Sequence, residues 1–555
     1  MDSNRTIPII VSVTGYRILP EKDIPALRNA VKQELQKIQE LCPNSRLILM
    51  SCLAEGADML CADVAEEMDI VLYAALPMEA DVYCKDFPEA ENIRFRHHCN
   101  RAERVFVMPA TEPEPATLNR NYLFRQADIY IVNHCHVLLA LWNGEKGKPG
   151  GCGAAETVEF SLSGNYETKS GISYRSGSNE AVIHIFTPRG AYTEEPAGTV
   201  RVKGNGEAVK DIIVTTDCFN KLALEIQTRD DRSLLPEDYD KNDAILCHMD
   251  KMYRVSDDLS VESAERYRGI LKKLAIANTI ITLAFLLYDE AEATWLILVC
   301  GAFLFGAWFC HRYAVKTDCH NRYIEYRVLA ESIRVQAYLR YAGSSLQVAT
   351  LLPWSQQEET AWIVDALNTI NVGENPKDGK LIRDCWVKQQ LSYHINAYDR
   401  TKKDNKSSEK IVNTALCISF ALYIFALLFE LLFGGLIFEP RLLLADEDFY
   451  RTILKVLLGT ISAGTVFGAN YYGKLSPQRK LSDHKKMEHF YGKIYTLLAD
   501  KEEEEEEKRK AEQREQIDIK KVQPEELLKV LAVEELIENG NWCSYQRDNT
   551  PDINL

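Results

Sequence analysis

The chain is 555 residues long and carries 81 acidic against 65 basic side chains, a formal charge of −16. That length exceeds what one hydrophobic core serves, so several domains are expected; the negative charge, with no basic face interleaved with aromatics, excludes duplex nucleic acid as a partner. Fifteen cysteines with no CxxC pair, set in apolar runs such as Leu60-Cys61-Ala62 and Leu416-Cys417-Ile418, predict reduced thiols packed as small apolar side chains in a reducing cytoplasm.

Met1 to Arg5 is polar and leads directly into a strand-like run, which leaves no room for a signal-peptide apolar segment and predicts that the front domain stays inside the cell. Between residues 9 and 186 short apolar runs alternate with helical stretches, the pattern of a doubly wound α/β sheet of Rossmann-like type. Strands are expected at 9–13, 47–50, 70–75, 105–107, 137–142 and 182–186, with helices at 24–41, 57–67, 118–133 and 154–162. Segments 164–181 and 188–206 are rich in Gly, Ser, Pro and charge and read as loops.

In open sheets of this kind ligands sit beyond the carboxyl ends of the strands, and three strand-end loops there have special composition. The first is Thr14-Gly15-Tyr16-Arg17, with a hydroxyl, a glycine that permits close backbone approach and a cation for phosphate. The second, Ser51 to Asp58, includes Glu55 and Gly56 and opens a helix whose free amides suit an anion. The third runs from Trp142-Asn143-Gly144 to Gly150-Gly151-Cys152-Gly153-Ala154-Ala155-Glu156, a glycine loop feeding another helix amino terminus. One such loop is weak; three at one sheet edge predict a nucleotide pocket.

These residues resemble the SLOG superfamily, which includes the cytokinin-activating LOG phosphoribohydrolases and the Rossmann-like domain of the DNA-processing protein A. The resemblance rests on Val13 to Arg17, Leu53 to Asp58, the segment with Leu76, Pro77, Tyr83, Asp86 and Phe87, then Leu138 to Gly144 and Gly150 to Glu156. Asn143 and Ala154 stand where that branch usually has Asp and Thr. The LOG pattern Pro-Gly-Gly-x-Gly-Thr-x-x-Glu puts its catalytic Glu at Thr157, so either Glu156 is displaced by one position or the catalytic carboxylate is missing. If the chain were an enzyme, Glu156 and Arg17 would be its catalytic pair. No cofactor is implied.

Two clusters, His97-His98-Cys99 and His134-Cys135-His136, invite a metal reading. Adjacent helix residues point in different directions and neither cluster has a partner at ligand spacing, so structural or surface histidines are expected and no metal site.

A short amphipathic helix is expected over 217–225. Four strongly apolar stretches follow, at 274–288, 295–314, 411–433 and 453–471. A bilayer needs about 20 apolar residues per helix; the first stretch is short, and a buried core helix is its alternative. Lys272, Lys273, His311, Arg312 and Lys316 flank the first pair, and Lys402, Lys403, Lys406, Lys410, Lys474, Arg479 and Lys480 the second, while the two outer loops carry Asp289, Glu290, Glu292, Glu439, Asp446, Glu447 and Asp448. The positive-inside rule then puts both termini and the middle segment in the cytoplasm. Glu430 in the third span either snorkels to the interface or lines a pore, and Gly464 and Gly468 have the small-xxx-small spacing that lets helices associate.

After the second span, residues 323–340 predict a helix with Leu329, Ile333 and Ala337 on one stripe. Arg327 to Arg334 resembles the Arg-x-Leu-Ala-Glu-x-Ile/Leu-Arg helix of SLATT-type two-span effector domains. The acidic run Glu502 to Glu507 reads as a solvated helical extension. The expected division is a SLOG-like nucleotide-binding domain over 1–205, linker helices over 206–270, two spans in 271–316, a cytoplasmic helical segment over 317–410, two spans in 411–474 and a cytoplasmic helical tail over 475–555. The resemblances together imply an effector of bacterial antiviral defence in the inner membrane. Its SLOG domain would sense a nucleotide second messenger, a cyclic oligonucleotide or ADP-ribose derivative made by an upstream enzyme, and its spans, oligomerised, would open or disrupt the bilayer. A membrane-tethered LOG-like nucleotide phosphoribohydrolase is the alternative.

Overall fold

The computed structural model describes residues 5–109, 119–147, 153–164, 167–168, 171–172, 180–189, 195–227, 233–236, 239, 242–290, 294–375, 379–380, 382–432, 447–474, 477–512 and 525–548. The chain divides into two compact units, one comprising 1–259, 325–381 and 520–541, the other 260–324, 382–519 and 542–555.

The first unit is built on a seven-stranded sheet of β1 (Ile9–Gly15), β2 (Leu47–Ser51), β3 (Val71–Leu76), β4 (Arg104–Val107), β5 (Val137–Trp142), β8 (Ala181–Phe186) and β9 (Val200–Gly204), with a small separate hairpin of β6 (Glu167–Thr168) and β7 (Gly171–Ile172). Strand order is β4-β3-β2-β1-β5-β8-β9. All neighbours run parallel except β9, which is antiparallel to β8. Successive strand residues feed opposite faces. Ile9, Val11, Val13, Leu49 and Leu139 pack with Leu27, Val31 and Leu35 of α1 (Ile24–Leu41) and Met59 and Val64 of α2 (Ala57–Glu67). On the other face Ile10, Ile48, Met50, Leu138 and Ala140 meet helices that follow α3 (Ala80–Tyr83) and α4 (Glu89–Arg101): Ile129 and Val132 of α5 (Arg120–Asn133) and Val158 of α6 (Ala154–Ser163). This is a doubly wound α/β sheet, with two buried faces that make parallel strands read as continuous apolar runs.

Two segments expected to be loops contain strands. The hairpin β6–β7 falls in 164–181, and β9 falls in 188–206. Strand β9 pairs Val202 with Ile183 and closes the β8 edge; Arg201 and Val202 are exposed, and Lys203 lies over the Trp142 ring at 4.7 Å; an edge strand this polar has no continuous apolar run to mark it. Helix α7 (Gly206–Glu225) starts well before the expected 217 because Asn205 caps it, accepting from the Ala208 amide at 3.2 Å. It packs on the sheet. Asn220 accepts from Ile7 N and donates to Ile7 O, both at 2.8 Å, and Asp217 accepts from the amide of Asn44 and the hydroxyl of Ser45.

The remaining helices are α8 (Ala244–Glu290), α9 (Leu296–Thr317), α10 (Cys319–Tyr341), α11 (Val348–Leu351), α12 (Trp354–Glu359), α13 (Ala361–Ile370), α14 (Lys388–Leu432), α15 (Glu447–Lys474), α16 (Pro477–Glu512) and α17 (Glu525–Asp548). The stripe Leu329, Ile333 and Ala337 of α10 is buried. Beside it Arg327 donates to Asp257 at 2.8 Å, Arg327 and Arg334 both pair with Glu331, and Arg334 Nε donates to Glu535 of α17 at 3.0 Å.

Among the described residues three helical stretches are long and apolar enough to cross a membrane, Ala244–Asp289, Leu296–Tyr341 and Arg383–Leu432. They contain the expected span 274–288, 295–314 from Leu296 on, and 411–433 as far as Leu432. The fourth expected span lies in α15, where the side chains beyond Thr465, and so Gly468, fall outside the described residues. A Cβ on Gly464 would meet nothing within 4 Å, whereas one on Gly459 would approach Leu286 to 3.0 Å. Glu430 accepts from Arg451 Nε of α15 at 2.7 Å. The described cysteines are free thiols.

Candidate functional site

Strand β1 lies between β2 and β5, so the connections leaving β1 and entering β5 pass to opposite sides and open a crevice at the carboxyl ends of the strands. A cavity of about 850 Å³ fills that crevice. It is lined from all three strand-end loops, by Thr14, Gly15, Tyr16 and Arg17 after β1, by Cys52, Ala54 and Asp58 after β2, and by Trp142, Asn143, Gly153 and Glu156 after β5. Among the sequence candidates Ser51, Glu55, Gly56 and Gly144 are not in the lining, and Gly150 and Gly151 lie outside the described residues.

The non-lining residues hold the loops together. Gly56 has φ +84°, and a Cβ there would come within 2.3 Å of the Arg17 carbonyl and 2.4 Å of the Tyr16 carbonyl. The Ala57 amide donates to Tyr16 O at 3.0 Å. That amide of the α2 amino terminus is therefore committed to the first loop. Gly15 is pressed against Ala57 and the Leu141 carbonyl, so its missing side chain serves loop packing. Ser51 donates to Asp58 Oδ2 at 3.1 Å and accepts from Leu53 N. Gly144, at φ +82°, packs against the His184 ring, which in turn lies 4.0 Å from Trp142.

Tyr16 donates to Asn143 Oδ1 at 2.6 Å, so the Asn143 amide anchors the first loop to the third. Arg17 lies over the Phe124 ring at 4.9 Å and Arg189 over the Tyr16 ring at 5.0 Å. Glu156 forms an ion pair with Arg125. Thr157 is fully buried; its hydroxyl accepts from Thr14 at 3.3 Å and donates to Gly153 O at 3.1 Å. It acts as a strut between the first loop and the α6 amino terminus. At Gly153 a Cβ would meet open space, and the α6 amino terminus that follows faces the cavity through Ala154 and Ala155.

Helix α5 supplies residues the sequence reading missed. Asn121, Phe124, Asp128 and Ile131 line the cavity, at the i, i+3, i+7, i+10 spacing of one helix face. The available signal was a carboxylate in an otherwise apolar stretch, Ala127-Asp128-Ile129. Burial pushes Asp128 up to about 7, with the neighbouring charges of Glu156 and Asp58 adding to it. Burial likewise raises Asp58 to about 6 against the hydrogen bonds from Ala54 and Ser51. The cavity thus pairs a cationic, aromatic mouth with two carboxyls that change charge near neutrality, a combination suited to a ligand bearing both phosphate and hydrogen-bonding groups.

His134 and His136 are structural. His134 stacks on Tyr130 at 4.0 Å, and His136 Nδ1 accepts from Ile10 N at 3.2 Å. His97 and His98 instead face Glu66 and Asp63 of α2, partners that only the fold brings near. No protein-family model matches the chain, and no curated protein matches it in sequence.

Proposed function

We propose that the chain is a ligand-gated effector of bacterial antiviral defence, seated in the inner membrane with both termini cytoplasmic. Its α/β unit binds a nucleotide-derived second messenger, a cyclic oligonucleotide or ADP-ribose derivative made by an upstream enzyme. Its apolar helices, assembled as a homo-oligomer, open or disrupt the bilayer. The observation that carries this reading is the cavity at the switch point of the sheet, lined by Arg17, Arg189 and the α6 amino terminus, in the same chain as three membrane-length apolar helices. The SLOG and SLATT resemblances and the basic flanks of the apolar stretches support it further. Sensing requires ligand affinity that differs between two states of the protein; the Tyr16–Asn143 bond and the Gly56 contact link the three cavity loops, so a ligand touching one biases all.

A membrane-tethered nucleotide hydrolase is the second reading. Asp128 favours it, since a carboxyl at about 7 is poised for proton transfer, while Glu156 is occupied by Arg125. The test is calorimetric titration of the full chain in lipid nanodiscs with cyclic oligonucleotides, ADP-ribose derivatives and nucleoside monophosphates, with chromatography of the same samples and dye release from loaded proteoliposomes. Stoichiometric binding of an intact ligand that triggers release supports the effector. Turnover without a stable complex or release refutes it in favour of the hydrolase.

A further inference from the structure

Helices α2 and α4 bring together a cluster that no strand-end loop touches. His98 is 1% exposed, and its Nε2 lies 2.9 Å from Asp63 Oδ1. Asp63 is itself held by Arg94 at 2.7 Å, so it is an ionised acceptor and His98 donates its Nε2 proton there. With Nε2 turned to Asp63, Nδ1 is the ring nitrogen left for another partner. That Nδ1 is buried without a hydrogen-bond partner, and it faces Glu66 Oε2 at 3.9 Å. A buried ring nitrogen without a partner, facing a carboxylate at that distance, leaves room for a cation that both would ligate.

The third member is His97, whose Nε2 stands 3.0 Å from both Glu66 oxygens. Neighbouring helix residues diverge in direction, and here the divergence is taken up because His97 reaches with Nε2 and His98 with Nδ1. The three ligand atoms lie within 4.8 Å of one another; a tetrahedral Zn²⁺ with bonds of 2.0–2.2 Å holds its ligands roughly 3.3 Å apart, so shifts of side-chain ends suffice. Arg101 Nε is 3.9 Å from Glu66 Oε1, and its guanidinium donates to the Ile70 carbonyl at 3.0 Å, so the close contact of the Glu66 carboxylate is with His97. His97 is exposed, giving solvent access for the ion and a water ligand.

We propose that Glu66, His97 and His98 bind a divalent transition cation of the zinc class, with Asp63 as the outer carboxylate that sets the His98 tautomer. Two imidazoles and one carboxylate favour zinc, nickel or copper over magnesium and calcium. Carboxylate–histidine–metal relays of this form are usual in metal sites. The ion clips α4 to α2, the helix whose first turn carries Asp58 of the cavity.

The test is Co²⁺ titration of the full chain in detergent, followed by absorption, with Zn²⁺ added at the end. The expected result is a saturable d–d spectrum without thiolate charge transfer, abolished by Zn²⁺. Affinity should fall about tenfold or more in His97→Ala and in Glu66→Gln, and roughly ten- to a hundredfold in Asp63→Asn. His97 is exposed and its variant is expected to keep the thermal unfolding of the metal-free protein. The proposal is overturned by absence of a saturable spectrum in the wild type, by a spectrum dominated by thiolate charge transfer, or by unchanged cobalt affinity in folded His97→Ala.

Discussion

Replacing Asp128 by Asn tests the half-buried carboxyl of the cavity lining. Its pKa is 3.8 in an exposed chain and about 7 in the folded one, raised first by burial. Between those values the unfolded state is ionised while the folded state keeps its proton. Unfolding therefore releases a proton, and stability falls as pH rises through the window, levelling off above 7. A raise of about three units at about 1.4 kcal/mol each corresponds to about 4 kcal/mol in full, more than half of it between pH 5 and 8. For a unit of this size that is roughly 3–5 °C in Tm. Thermal unfolding of the full chain, followed by tryptophan fluorescence at pH 5 and pH 8, should show wild type losing this much more than Asp128→Asn. Asp58, raised to about 6 in the same sense, leaves a smaller slope in the variant. Equal slopes in the two proteins would refute the assignment of a protonated Asp128 in the cavity lining.

Three other substitutions probe the site and its supports. Gly56→Ala drives a Cβ into the carbonyls of Tyr16 and Arg17 at a positive φ and should cost about 3 kcal/mol or more, read as a drop in Tm with faster hydrogen exchange in the 14–18 loop. Arg17→Ala removes an exposed side chain and should leave stability within about 0.5 kcal/mol, while weakening a phosphorylated ligand about tenfold or more by calorimetry; equal affinity would remove Arg17 from the site. Glu535→Ala breaks the buried pair with Arg334 at a cost of about 3 kcal/mol, and amide exchange in α17 should accelerate while that in β1 does not.

What the sequence made legible follows from burial. Strand β5 matches its expected bounds because Val137 to Trp142 is an unbroken buried run, and α1 does so because Leu27, Val31, Leu35 and Ile38 repeat on one buried face. Helix α4 offered no such stripe, with Phe95 and His98 its buried residues, so the face that meets Asp63 and Glu66 could not be read from one strand of text. The cavity was found through its glycines, yet Gly15 and Gly56 turned out to serve contacts between loops. A glycine in a sequence reports that a side chain would collide, and only coordinates say with what. Asp128 was missed for the converse reason: a single carboxylate in an apolar helix is as often a surface residue until neighbouring elements bury it.

Asn220 grips both backbone groups of Ile7, the residue that leads into β1. On the ribosome this places the first strand's anchor more than two hundred residues downstream of it, so the nascent sheet cannot be completed until α7 has left the exit tunnel. A fragment ending before α7 would emerge with the start of β1 unheld by Asn220. Release of α7 is therefore the earliest moment at which both backbone groups of Ile7 can be held.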